Sequence, residues 1–139
     1  MGITHCKTGC MFILLFAVAP LVHAQDAKLD RGKYLVENVG LCGDCHTPML
    51  PTGQPDGSHV LRGAALGFQP IHPIPKWNAA APDITPQGAL WKKWGEIGLL
   101  KFLQTAQDPH GHPADPPMPA YKFNVQDAEA ILVYLKALR

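Results

Sequence analysis

Apolar side chains recur at the spacing of an α-helix in three separate segments of the chain. This pattern predicts helices over residues 29–40, 88–106 and 124–139, because residues three and four positions apart lie on one face of a helix. The apolar positions of the last segment, which is the most regular, are Ala128, Ile131, Leu132, Leu135 and Leu138. The pattern therefore predicts an all-α fold with three main helices.

The ends of the first and last segments carry helix-boundary signals. Asp30 is the predicted N-cap of the first helix, and Gly40 follows its last apolar position and is expected to end it. Asn124, with Asp127 three residues later, resembles a capping box at the start of the last helix.

The middle segment is less regular than the other two. Leu90, Trp94 and Ile97 are predicted to share one of its faces. Gly95 and Gly98 lie in the same segment, and a glycine inside a helix costs about 1 kcal/mol relative to alanine. These glycines weaken the case for one unbroken helix.

A proline- and glycine-rich stretch, about residues 48–87, separates the first two predicted helices and shows almost no strand alternation. Structureless loops longer than about 12–15 residues are uncommon in compact domains. Three helices in a chain of this size also make a thin core. Both difficulties are resolved if the loops cover a large apolar cofactor at the centre of the fold.

The N-terminal residues have the pattern of a secretory signal peptide. A lysine is followed by an apolar run, Met11 to Val22, and then by Val-His-Ala, which predicts cleavage after Ala24 and a signal peptide over residues 1–24. The run is shorter than the roughly 20 residues that a membrane-spanning helix needs. An uncleaved N-terminal anchor is the alternative. Cys6 and Cys10 lie in this segment and are not counted as site residues.

The predicted mature domain is a single domain over residues 25–139, without a membrane span. The whole chain has 12 basic and 11 acidic side chains, and removal of one lysine with the signal peptide leaves equal numbers. This balance, without a basic stripe or an acidic tail, argues against a nucleic-acid partner. Export predicts an oxidising, periplasmic environment.

The stretch LCGDCHTPM, residues 41–49, contains the motif C-x-x-C-H. Cys42, Cys45 and His46 match the attachment signature of c-type haem, in which two cysteines form thioethers and the histidine ligates iron. A structural zinc site is disfavoured because it usually takes four nitrogen or sulfur ligands. A thioredoxin-like dithiol is disfavoured because it would accompany a βαβ pattern, which this chain lacks.

Haem iron has a second axial position, for which Met118 is the predicted ligand. Met49 lies only three residues from His46 and cannot easily reach the opposite side of a ring. Met118 lies between Pro117 and Pro119, and the fixed φ angles of proline reduce the entropy lost when a loop is ordered. A methionine that fills a core gap is the alternative. The rival ligands are His59, His72, His110 and His112.

The mature sequence resembles class I cytochromes c over essentially its whole length. The resemblance rests on Gly32, the segment Cys42–His46, the pair Met118-Pro119 and the run Tyr134-Leu135-Lys136. It implies that the first and last helices cross at the glycine, where Gly32, Val36, Ile131 and Tyr134 would meet. The segments RGKYLVENVGLCGDCHTP, PDITP, PPMPAY and DAEAILVYLKAL are also similar to haem domains of periplasmic dehydrogenase cytochrome subunits. Such subunits often repeat the haem motif, which occurs once here.

The resemblance implies one-electron transfer through a single haem c, attached to Cys42 and Cys45 and ligated by His46 and Met118. The expected partner is a redox protein, a dehydrogenase subunit or a respiratory-chain component, and the chain is not expected to be an enzyme itself. The alternative is a haem enzyme or small-ligand sensor with an open or labile sixth position.

Two further expectations concern the surroundings of the haem. His46 should donate its other ring N–H to a backbone carbonyl of the following proline-rich loop. Trp91, Trp94 and Tyr121 are expected to wall the pocket or to bond a haem propionate, with an ordinary core position as the alternative.

Overall fold

The computed structural model describes residues 19–138 of the chain, and the described part is mostly helical. Its helices are α1 (Ala19–Tyr34), which continues as a π-helical turn (Leu35–Val39), then α2 (Gly43–His46), α3 (Ala89–Thr105) and α4 (Val125–Ala137). Two short strands, β1 (Ala64–Ala65) and β2 (Ala80–Ala81), lie between α2 and α3. Most of the predicted signal peptide lies outside the described residues, so its cleavage remains a prediction.

Helices α1 and α4 pack against each other at Gly32. A Cβ atom at this position would overlap the carbonyl group of Ala130 and would lie 2.8 Å from the Cβ of Tyr134. Only glycine fits this contact without displacement of backbone. The crossing of the first and last helices that the resemblance implies is therefore present in the structure.

The first helix begins earlier than the sequence pattern predicted. Asp30 lies inside α1 and is not its N-cap, because the helix begins at Ala19 and the intervening alanines, lysine and leucine favour helix. The predicted end is confirmed. Gly40 is the C-cap of the π-helical turn, and its N–H donates to the carbonyl of Leu35 at 2.7 Å.

Helix α3 is interrupted at Gly95, whose φ of 63° and ψ of 178° lie far from helical values. The interruption confirms the prediction that Gly95 and Gly98 make one unbroken helix less favourable. It also explains why Ile97 is 85% exposed and does not share the apolar face of Leu90 and Trp94, since a break changes the phase of the helix. Helix α4 begins as predicted, with the Asn124 side chain accepting the N–H of Asp127 at 2.8 Å.

Strands β1 and β2 form an antiparallel pair in which Ala64 faces Ala81 and Ala65 faces Ala80. The predicted helical fold is confirmed in its main elements, but this small sheet was not predicted, because two-residue strands are too short to show alternation. The buried core is assembled from the π-helical turn, α3 and α4, together with Leu61; its members are Leu35, Val36, Leu61, Leu99, Ala130, Ile131, Leu132, Tyr134 and Leu135. Within residues 19–138, every helix is too short or too polar to cross a bilayer.

Candidate functional site

An apolar cavity of about 710 Å³ opens between α2, α3 and the loop that precedes α4. Each of these parts contributes lining residues, as do the π-helical turn and β2. The cavity brings together Cys42, Cys45, His46 and Met118, which are the residues that the sequence singled out. His46 and Met118, 72 positions apart in the chain, thus line one space because the loop before α4 folds back towards the motif.

Cys42 is the N-cap of α2 and Cys45 lies within this one-turn helix, and both are partly buried with free thiols. The N–H of His46 donates to the carbonyl of Cys42 at 2.9 Å, which closes the first turn of this short helix. Burial, with smaller contributions from Cys45 and Asp44, raises the pKa of the Cys42 thiol to about 11. Because the C-x-x-C-H motif lies within one helical turn, Cys42, Cys45 and His46 all line the same part of the cavity.

The His46 side chain is 5% exposed, and its Nδ1 lies 2.7 Å from the carbonyl oxygen of Pro82. A carbonyl oxygen can only accept, so Nδ1 carries the hydrogen and Nε2 carries the lone pair. Burial lowers the pKa of His46, with the Pro82 bond acting in the opposite direction, and this favours the neutral ring. The bond from His46 to a carbonyl of the proline-rich loop was expected, and the structure identifies that carbonyl.

The Pro82 carbonyl is held in place by the elements on both sides of it. Strand β2 ends at Ala81 and pairs with β1, which fixes the approach to Pro82. After it, the backbone N–H and the hydroxyl of Thr85 both donate to the carboxylate of Asp83 at 2.7 Å. The short sheet, which the sequence did not predict, therefore positions the acceptor of the His46 ring.

Met118 is half-buried and lines the cavity, whereas Met49 is 57% exposed and does not. This arrangement favours Met118 over Met49 as a donor to a group held in the cavity. Of the four rival histidines, His112 alone is among the lining residues. It is exposed, and its Nδ1 lies 3.2 Å from the Asp108 carboxylate.

The loop that carries Met118, residues 113–123, is attached at both ends to α3 and the residue after it. The N–H of Ala114 donates to the carbonyl of Ala106 at 2.9 Å, and the N–H of Phe123 donates to the carbonyl of Leu103 at 3.0 Å. Between these points the carbonyl of Pro116 accepts the N–H of Asn78 at 2.8 Å. The loop is thereby held over the open side of the cavity.

Trp91, Trp94 and Tyr121 all line the cavity, in agreement with their predicted place. The indole N–H of Trp91 donates to the carbonyl of Ile84 at 2.7 Å, and the Tyr121 hydroxyl donates to the carbonyl of Gly40 at 2.5 Å. The indole nitrogen of Trp94 is buried and has no hydrogen-bond partner within the described part of the chain. Unpaired buried donors are rare because their desolvation costs about 1–3 kcal/mol.

Three residues at the cavity were not predicted from the sequence. The carbonyl of Pro82 has no side-chain signature, although it lies in the run PDITP that the resemblance had marked. Lys76 and Asn78 also line the cavity, and nothing in their sequence context distinguishes them from other loop residues.

Comparison with characterised proteins shows relatives of one kind. The chain is 32% identical over 123 residues to the fructose dehydrogenase cytochrome subunit of Gluconobacter japonicus, covering 84% of this chain and 23% of that protein. It is 34% identical over 112 residues to a diheme cytochrome c-type of Cereibacter sphaeroides, covering 77% of this chain and 34% of that protein. For the gluconate 2-dehydrogenase cytochrome c subunit of Pantoea cypripedii, the identity is 33% over 125 residues, covering 82% and 27%.

The chain thus spans from 23% to 34% of the length of these relatives. No protein-family model matches it. The predicted similarity to cytochrome c subunits of dehydrogenases is confirmed.

Proposed function

We propose that this chain, which is similar to cytochrome c subunits of dehydrogenases, transfers single electrons through one covalently attached haem c. In this proposal Cys42 and Cys45 would hold the haem through thioether bonds, and His46 and Met118 would ligate its iron. The crossing of α1 and α4 at Gly32 supports a class I cytochrome c fold.

One observation carries the proposal. A single apolar cavity is lined by both cysteines of the motif, by His46 and by Met118, although the methionine is distant from the motif in sequence. If the cavity did not hold a haem, the presence of two cysteines, a histidine and a methionine in its wall would each need a separate explanation.

The donors around the cavity fit a haem. Its apolar lining suits a porphyrin, and the buried indole N–H of Trp94 lacks an acceptor that the carboxylates of haem would supply. His46 has one ring nitrogen engaged by Pro82, which is the usual arrangement of a metal-ligating histidine.

When bound, the haem would supply a reversible Fe(III)/Fe(II) couple. The residues of the chain set the conditions for that couple. Burial and the Pro82 carbonyl keep the His46 ring neutral and fix its orientation. A Met118 thioether on the iron would favour the reduced state, and histidine–methionine ligation would accordingly raise the potential. Apolar side chains from α3 and α4 exclude water, among them Leu99, Phe102 and Leu132.

Two protein ligands would leave no position for a substrate, so the proposed role is electron transfer and not catalysis. The donor in this proposal is a dehydrogenase, as the names of the relatives indicate, and the electrons pass towards the respiratory chain. The proposed location is the periplasm, reached after removal of residues 1–24. Because the charges nearly balance, long-range electrostatic steering of the partner is expected to be weak.

The first test is the absorption spectrum of the exported protein, oxidised and reduced, for wild type, Met118→Ala and Met49→Ala. We expect a c-type haem spectrum that persists after denaturation, because the attachment is covalent. The oxidised wild type should also show the weak far-red band of a sulfur–iron bond. Met118→Ala should lose that band, and Met49→Ala should retain it because Met49 lies outside the cavity.

Other outcomes would change specific parts of the proposal. Absence of covalently bound haem would contradict it entirely. If the haem spectrum of Met118→Ala were the same as that of wild type, Met118 would not be a ligand of the iron. Rapid carbon monoxide binding by the reduced wild-type protein would then support the enzyme or sensor alternative, and a His112→Ala variant would test the histidine that lines the cavity.

A further inference from the structure

In the described part of the chain, a single hydrogen bond joins the Met118 loop to the proposed haem-attachment segment, residues 40–46. Among the hydrogen bonds of the described residues, the one between residues 113–123 and residues 40–46 runs from the Tyr121 hydroxyl to the carbonyl of Gly40. It is 2.5 Å long and connects positions 81 residues apart. Tyr121 follows Met118 by three residues, and Gly40 precedes Cys42 by two.

The acceptor end of this bond is firmly placed. The N–H of Gly40 donates to the carbonyl of Leu35 at 2.7 Å, and the N–H of Cys42 donates to the carbonyl of Val36 at 3.0 Å. A Cβ at Gly40 would lie 3.2 Å from the sulfur of Cys42, so the two residues are closely packed. The carbonyl that Tyr121 contacts therefore has a fixed position relative to the first cysteine.

The donor end is also restrained. The rings of Tyr121 and Phe123 are stacked, with centroids 5.3 Å apart and planes inclined by 22°. The N–H of Tyr121 donates to the carbonyl of Pro119 at 2.9 Å, and the N–H of Phe123 binds α3. These contacts restrain the Tyr121 backbone and ring, so the position of its hydroxyl group next to Gly40 is fixed.

The composition of the loop explains why a side chain makes this connection. Proline has no backbone N–H, and Pro116, Pro117 and Pro119 surround Met118. The N–H of Met118 itself is directed within the loop, to the carbonyl of Asp115 at 3.1 Å. Few backbone donors remain to attach this part of the chain to α2 or the π-helical turn.

We infer that Tyr121 is a positioning residue for Met118. The hydrogen bond from the Tyr121 hydroxyl to the carbonyl of Gly40 keeps the Met118 loop closed over the cavity. This role rests on the proposed function. Opening of the loop must break the bond, so its removal increases the fraction of molecules in which Met118 has left the iron. A competing ligand such as carbon monoxide binds only that fraction, and its apparent affinity changes in proportion.

The test compares Tyr121→Phe with wild type and with Tyr134→Phe in the haem-loaded protein. Tyr134→Phe is the matched control because it also removes a hydroxyl, the one with which α4 donates to Glu37 of the π-helical turn at 2.5 Å. It leaves the Met118 loop untouched. The phenyl ring of Tyr121→Phe retains the stacking on Phe123, and circular dichroism establishes that both variants are folded.

The measured quantity is carbon monoxide binding to the reduced protein, together with the pH at which the far-red sulfur–iron band disappears. A net hydrogen-bond contribution of about 1 kcal/mol corresponds to an increase of roughly fivefold in apparent carbon monoxide affinity for Tyr121→Phe. When the pH is raised, the band should also disappear at a lower pH in this variant, because a deprotonated competing ligand displaces a less firmly held Met118 more readily. Tyr134→Phe should match wild type in both measurements while unfolding at lower denaturant concentration.

The outcomes separate this inference from the function on which it rests. If the sulfur–iron band is present in wild type but Tyr121→Phe and Tyr134→Phe bind carbon monoxide alike, Tyr121 is only structural and the inference is wrong. If Met118→Ala leaves the band unchanged, the proposed ligand itself is wrong and the inference fails with it.

A measurement on the wild type covers the case in which Tyr121→Phe does not fold. Native-state hydrogen exchange should give similar opening free energies for the amides of Met118, Tyr121 and Cys42, because the bond couples their segments. If the loop amides open at much lower free energy than Cys42, the coupling is absent and the inference is wrong.

Discussion

Single polar contacts hold the chain in place on the C-terminal side of His46. The hydroxyl oxygen of Thr47 accepts the backbone N–H of Leu61 at 3.0 Å, and the two residues are 4% and 1% exposed. The carbonyl of His46 accepts the N–H of Gly63 at 2.7 Å. Together these bonds fold the loop after α2 back under the imidazole and bring β1 towards Pro82.

Thr47→Val should therefore be destabilising although it preserves the shape of the side chain. The valine leaves the buried N–H of Leu61 without an acceptor, which costs about 1–3 kcal/mol. Chemical denaturation followed by circular dichroism measures the loss. Thr47→Ser is the matched control, since it retains the oxygen and loses one methyl group, worth about 0.8 kcal/mol. Equal stability of the valine variant and wild type would show that the bond contributes nothing.

At the scale of the elements, the α1–α4 contact is the main helix pair of the fold. Gly32 permits the close approach, and two ion pairs connect the helices, Lys28 with Glu129 at 2.5 Å and Arg31 with Asp127 at 2.8 Å. Both ion pairs are partly exposed, so they contribute less to stability than the apolar contact.

Gly32→Ala should reduce the free energy of unfolding by about 1–3 kcal/mol or more, because the added methyl group meets the backbone of Ala130, which cannot move aside. Urea denaturation measures this change. Gly57→Ala is the control, since a Cβ at Gly57 has no heavy atom within 4 Å. If the two variants were equally stable, the helices would not be in close contact at Gly32.

The Asp127 carboxylate predicts a pH dependence for the same contact. Its hydrogen bonds from the Arg31 guanidinium hold the pKa of Asp127 below its ordinary value of 3.8. The folded state therefore binds this proton less readily than the unfolded state, so the stabilisation is present above about pH 4 and is lost as the pH falls through the lower, folded pKa.

Asp127→Asn and Arg31→Gln should each lose less stability than wild type on acidification from pH 5 to pH 3, because the pair is already broken. Urea denaturation across this pH range tests the prediction. Parallel acid profiles for wild type and both variants would contradict it.

For the whole molecule, the buried core is small and a sizeable apolar cavity lies beside it. Within residues 19–138, nine residues form that core, whereas the cavity of about 710 Å³ separates α3 and the Met118 loop from α2. A chain of this size has little apolar surface to spare, so a group in the cavity would supply contacts that the side chains do not. This property was expected from the thin helical pattern and the long proline-rich stretch.

Removal of both proposed attachment sites should therefore loosen the whole fold. The double variant Cys42→Ala/Cys45→Ala is expected to lose covalent haem, to show weaker helical circular dichroism and to unfold with low cooperativity. Met49→Ala, which alters an exposed side chain, is the control for expression and export. A double variant with wild-type ellipticity and a sharp unfolding transition would show that the chain folds without a group in its centre.

The three main helices, the end of the first at Gly40 and the cap at Asn124 could be predicted because they depend on local spacing and local hydrogen bonds. The early start of α1 and the exposure of Ile97 could not be predicted. Helix propensity extended α1 towards the N-terminus, and the break at Gly95 changed the direction of the following side chains in α3. The strands were missed because two residues carry no periodicity.

The sequence by itself determined the chemistry of the candidate site. The spacing of Cys42, Cys45 and His46 specifies how two thiols and an imidazole can hold one group, and that spacing is readable without a fold. Tertiary structure decided which distant groups join them. It brought Met118 and not Met49 to the cavity, selected the carbonyl of Pro82 for the His46 ring, and placed the Tyr121 hydroxyl on Gly40. Backbone carbonyls are identical in every residue, so only the path of the folded chain distinguishes one from another.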